Sequence, residues 1–183
     1  MKRISLMIFL SLMALPAMLH AQEMTDAEIA AIRAAYNDAK EQVEINRHAQ
    51  EQNVPRSDME VISNYVIPGC GPTEEIIHYY FRLDEDAEQE AYVNRLYFIT
   101  RSYNVAARKF YQEFLFDEQD SELLFFFQSN DDFDGGIDEM RYYYSTHGMR
   151  QSIKGNAQMD EIFAARLADE LKNAFNLLIN RDF

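Results

Sequence analysis

Between about Met59 and Lys154, apolar and polar side chains alternate with a period of two, and this alternation commits the middle of the chain to a sheet. Six strands are predicted, at roughly 59–66, 75–83, 94–104, 107–117, 122–129 and 139–146, with a weaker piece at 149–154. The segments "PGCGP", "DEDAEQE", "DEQDS", "NDDFDGG" and "THG" supply turn residues between them. The break between 104 and 107 has no such marker and reads as a turn or as a bulge in one bent strand. Intervals this short permit only antiparallel neighbours, that is, a meander.

The flanking segments have a different period. Ile29, Ile32, Tyr36, Ala39 and Val43 recur at spacings of three and four, after a possible capping box made by Thr25 and Glu28. Val54-Pro55-Arg56-Ser57 ends that helix. Near the C-terminus, Met159, Ile162, Phe163, Leu167, Leu171, Phe175 and Leu178 trace one face of a second helix, for which Gly155-Asn156 is the expected start. The predicted class is α+β: an antiparallel β-meander of about five to six strands flanked by an N-terminal and a C-terminal helix packed on one face.

Lys2 and Arg3, the apolar run Ile4–Leu15 and the small residue Ala21 read as a secretory signal over residues 1–21, with residues 22–183 forming one domain. Removing Lys2 and Arg3 leaves 15 basic against 31 acidic side chains, a formal charge of −16. Such a charge disfavours nucleic acid and anionic lipid. A periplasmic or secreted bacterial protein is expected, with no membrane insertion after cleavage. Cys70 is the only cysteine, so stability must come from packing and not from disulfides.

The block "YNVAARKFYQEFLFDEQ", with "IPGCGPTEE" before it and "EMRYYYS" after it, resembles an uncharacterised family of small secreted bacterial proteins. The resemblance covers the strand region. It implies export and a sheet-rich domain, and it brings no activity, cofactor or catalytic residue.

The motif candidates divide into three. In "SNDDFDGGIDEMR", Asn130, Asp132, Asp134 and Asp138 follow the ligand order of a helix-flanked calcium loop. Arg141 stands where the bidentate glutamate belongs, and the flanks read as strands, so the segment is better explained as a hairpin loop, with a calcium-stabilised domain as the alternative. Cys70 in Pro68-Gly69-Cys70-Gly71-Pro72 is a candidate thiol nucleophile. His78, the nearest base in sequence, lies eight residues along an extended chain, roughly 25 Å away. An enzyme would therefore rest on Cys70 or on an Asp/Glu pair that no motif marks. His48, His78 and His147 have no zinc-site spacing, and no motif implies a cofactor.

The strand faces carry more. Strict alternation puts Ile77, Tyr79, Phe81, Leu96, Phe98, Phe114, Phe116, Phe125, Phe127, Met140 and Tyr142 on a core face. The opposite face then carries Tyr80, Arg82, Tyr97, Ile99, Arg101, Tyr111, Phe126, Arg141 and Tyr143. Tyrosine and arginine are enriched at the centres of interfaces. The expected function is an exported, non-catalytic binding module. Its open sheet face, with Tyr80, Arg82, Tyr97, Arg101, Tyr111, Arg141 and Tyr143, would take a protein, a glycan or another copy of itself.

Overall fold

The computed structural model describes residues 24–52, 57–86, 91–131, 135–146 and 148–179. The signal segment lies outside the described residues. In chain order the elements are α1 (Asp26–Glu51), β1 (Asp58–Ile67), β2 (Gly71–Asp86), β3 (Ala91–Val105), β4 (Arg108–Phe116), β5 (Leu123–Asp131), β6 (Ile137–Ser145), β7 (Gly148–Lys154) and α2 (Glu161–Ile179). The strands form one sheet in the order β1 to β7, each antiparallel to the next, so the α+β class and the meander are as expected. The weak piece at 149–154 is a full seventh strand.

Local chemistry sets the ends. The Thr25 amide donates to Glu28 Oε2 at 2.7 Å while the Glu28 amide donates to Thr25 Oγ1 at 3.2 Å, a reciprocal capping box. The second helix starts later than the sequence suggests. Asp160 caps it by accepting from the Ile162 amide at 2.8 Å. Residues 104–107 form a tight hairpin and no bulge, with Ala106 in the left-handed region at φ 54°. Asn104 braces that corner, donating to the carbonyls of Pro72 at 3.0 Å and Ala106 at 3.2 Å.

The helices do not share a face. Phe114 and Leu115 are adjacent on β4 and must point to opposite sides, and they belong to different cores. On Phe114's side, Ala164, Ala168, Leu171 and Phe175 of α2 pack against Tyr79, Phe126, Met140 and Tyr142. On Leu115's side, Ile29, Ile32 and Ala39 of α1 pack against Tyr97, Phe98, Phe125 and Tyr143. The result is a helix–sheet–helix sandwich, which corrects the expectation of two helices on one face.

Two bulges explain the difference. Tyr80 pairs with Phe98 and Phe81 with Leu96, which leaves Tyr97 as an extra residue in β3. Leu115 pairs with Phe125 and Phe116 with Leu123, which leaves Leu124 extra in β5. Past each bulge the alternation changes phase. Phe98, Phe125 and Phe127 therefore turn to the α1 side, and Ile99 and Phe126 to the α2 side. Both faces are then apolar enough to need a helix; burying each large aromatic side chain contributes ~1.5–3 kcal/mol.

Candidate functional site

Helix α1 crosses the sheet obliquely. Asp26 near its start meets Arg150 of β7 at 2.8 Å, Arg33 meets Tyr143 of β6, Lys40 meets Glu113 of β4, and Asp38 meets Arg82 of β2 at 3.1 Å. Along its flank lies a cleft of about 280 Å³. The helix wall is Ile32, Arg33, Tyr36 and Asn37, and the sheet wall is Phe125, Phe127, Arg141 and Tyr143.

The cations in this cleft are held by rings. The Arg33 guanidinium lies 5.6 Å from the Tyr143 ring centroid, and its Nε points at the hydroxyl at 3.5 Å. Arg141 lies 4.9 Å above Phe127 and pairs with Glu139 at 3.0 Å. Arg33 has no carboxylate within ion-pair distance among the described residues.

Beside the cleft Glu113 is 2% exposed, and its carboxylate is the centre of a cluster. It accepts from Tyr36 at 2.6 Å, from Lys40 at 2.6 Å and from Tyr111 at 2.8 Å. Burial, reinforced by these bonds to Glu113, pushes both tyrosine hydroxyls well above their usual range. They are donors at any ordinary pH. Around the cleft, Arg33 feels the charge of Asp26, Lys40 pairs with Glu113, and Arg141 shares Glu139 with Lys154.

The residues expected on an open Tyr/Arg face are distributed otherwise. Tyr80, Arg82, Tyr97, Tyr111, Arg141 and Tyr143 do share one side of the sheet, but α1 lies across it. Tyr97 and Tyr143 are buried, and burial pushes the Tyr97 hydroxyl up to about 12. Arg82 is spent on Asp38 and Glu118 and covers Tyr97. The phase change at Tyr97 puts Arg101 on the α2 side, where it binds Glu75 at 2.5 Å and Gln112 at 3.0 Å. Of the seven, Arg141 and Tyr143 line the cleft. Arg33, Tyr36, Phe125 and Phe127 were not anticipated. One signal existed for Tyr36: a hydroxyl inside an apolar helix stripe must find a partner when buried.

A second polar array, also unanticipated, lies on the α2 side. Gln112 donates to Gln128 at 2.7 Å, Gln128 to Asn130 at 3.3 Å, and Asn130 to Asp138 at 3.4 Å. Asp138 also accepts from the Asn156 amide at 2.6 Å. The chain satisfies four buried polar side chains and ties the connection before α2 to the sheet. Asn130 and Asp138, two of the calcium candidates, belong to this array. Asp132 and Asp134 lie outside the described residues. Among the described residues no three His, Cys, Asp or Glu side chains are grouped as a metal ion would require.

Cys70 sits in the β1–β2 turn, its amide bonded to the Ile67 carbonyl at 3.0 Å. His78 lies well up β2, 3.2 Å from Glu60, so the two are not brought together. Among the described residues no helix is long and apolar enough to cross a membrane.

Comparisons of the chain with protein-family models, with curated proteins and with solved structures found no match.

Proposed function

We propose that this protein is an exported binding module that takes a small planar carboxylate in the cleft between α1 and strands β5 and β6. The observation that carries the reading is the pair Arg33 and Arg141, one from the helix and one from the sheet, facing a ring-lined space of about 280 Å³. Guanidinium groups match carboxylates with two parallel hydrogen bonds. The rings of Phe125, Phe127 and Tyr143 give the space apolar walls against which a flat body can pack. The volume falls near the small end of ligand sites, which run from ~300 to ~1,000 Å³. The export half of the reading rests on residues 1–21.

Beside the partners suggested by the sequence, a protein, a glycan or a second copy, the proposed occupant of the cleft is a carboxylate-bearing molecule small enough to enter it. Calorimetric titration with benzoate tests this, with benzamide as the uncharged counterpart and inorganic phosphate as a non-planar anion. Benzoate should bind most tightly. Arg33→Ala and Arg141→Gln should each weaken it roughly 10- to 100-fold, the value of a hydrogen bond to a charged group. Equal binding of benzoate and benzamide, or no effect of either substitution, would overturn the assignment.

A further inference from the structure

Among the described residues the sheet ends at β1 and at β7, and the two edges differ. The outer strand β7 carries Arg150 and Lys154, held by Asp26 and Glu139, and it is seven residues long. Basic side chains on a short strand are a common defence against edge-to-edge pairing. The other edge, β1, runs for ten residues, and its stretch Val61–Ile67, "VISNYVI", contains no charge, no proline and no glycine. Its register with β2 is unbroken over ten pairs, so no bulge turns it away. Ile62 is 54% exposed and Val66 71%. An uncharged β-branched run of this length on an exposed edge is the composition that pairs with another strand.

The outward backbone groups can be assigned. The Phe81 amide bonds to the Ser57 carbonyl at 3.0 Å, which fixes the alternation of the β1–β2 ladder. Odd-numbered residues of β1 bond to β2. Glu60, Ile62, Asn64 and Val66 direct their amides and carbonyls out of the sheet, where no described strand lies beyond them.

We propose that β1 pairs antiparallel with β1 of a second copy about a two-fold axis at Asn64, joining the two sheets into one. The charges select this arrangement. Both acidic residues of the strand, Asp58 and Glu60, lie at one end. A two-fold axis at Asn64 pairs Val61–Ile67 with the same stretch of the other copy and leaves Asp58 and Glu60 outside it, beyond the other copy's β1–β2 turn, whereas a parallel pairing would set like charges side by side. The same axis places Ile62 beside Val66 on one face, twice, so the most exposed apolar groups of the strand cover one another. Pairing of β1 with β7 would be head-to-tail and would grow without closing. The two-fold contact closes. A strand-edge contact is smaller than the ~1,200–2,000 Å² of a stable interface, and both copies are strongly acidic. Association should therefore be weak and should strengthen with salt.

Two measurements test the pairing, both on residues 22–183 with Cys70→Ser. Sedimentation from low to high micromolar concentration should show a monomer–dimer equilibrium that tightens at high ionic strength. Val66→Lys should weaken it at least ~10-fold without lowering the melting temperature, since the side chain is exposed. On oxidation, Asn64→Cys should form an interchain disulfide, and Ser152→Cys on β7 should not. A monomer at every concentration, a dimer indifferent to Val66→Lys, or cross-linking through β7 as fast as through β1 would each overturn the proposal.

Discussion

Removing the carboxylate at position 113 should destabilise the fold through the hydroxyl groups left behind more than through the lost ion pair. Glu113 accepts from Tyr36, Tyr111 and Lys40. The Lys40 side chain is 39% exposed and can return its charge to water, so that contact contributes little. The two hydroxyls cannot turn to water as easily, because both rings are half-buried between α1 and the sheet. A stranded donor costs ~1–3 kcal/mol. Two of them put Glu113→Ala at about 2–4 kcal/mol once the partial exposure of the rings is allowed for. Glu113→Gln keeps one acceptor oxygen and should cost roughly half as much. For a domain of this size the alanine variant should melt ~4–16 °C lower. Urea denaturation followed by circular dichroism gives the free energy directly. The decisive arm is a double-mutant cycle: Tyr36→Phe should be costly in the parent and nearly neutral beside Glu113→Ala, a coupling of about 1–2 kcal/mol. An alanine variant within ~0.5 kcal/mol of the parent, or a cycle with no coupling, would show that the two hydroxyls do not depend on Glu113.

Two further outcomes are expected. Burial raises the folded-state values of Tyr79 and Tyr97 from 10.0 to about 12, so the unfolded chain loses those protons first. Their contribution is complete below pH 10 and is lost as pH rises from 10 to about 12. Tyrosinate absorbance followed beside circular dichroism should show these rings ionising only as the fold melts, and ionisation near pH 10 in an intact fold would contradict it. Gly155 has φ +77°, and a β-carbon there would fall 2.1 Å from Asp138 Oδ1, so Gly155→Ala should cost ~2–3 kcal/mol in urea denaturation; an alanine variant as stable as the parent would contradict that.

Much of this fold was legible because its signals are local. The capping box at Thr25 and Glu28, the apolar stripe of α1 and the turn glycines between strands each act within a few residues. The tight β3–β4 hairpin was harder, because its left-handed position holds Ala106 where Gly or Asn would mark a turn. The bulges at Tyr97 and Leu124 left no mark, since each extra residue lies in a run of large apolar and aromatic side chains, LYFI and LLFFF, that fits either phase. Each bulge reverses the face of the residues beyond it, so an error of one residue moved Phe98, Phe125 and Phe127 across the sheet and hid the second core. The same error placed Arg101 with the wrong neighbours. Arg141 and Tyr143 were found because β6 runs without a bulge. Arg33 was invisible, since an arginine on the polar side of a helix stripe acquires meaning only once the strand beneath it is known.

In the proposed complex a carboxylate enters between Arg33 and Arg141. Mapping amide and side-chain NMR shifts of residues 22–183 during a benzoate titration tests it most directly. The perturbed residues should cluster at Arg33, Tyr36, Phe125, Phe127, Arg141 and Tyr143, and the cluster should be lost in Arg141→Gln. Perturbations scattered over the surface, gathered on the α2 side around Arg101, or unchanged in Arg141→Gln would contradict it.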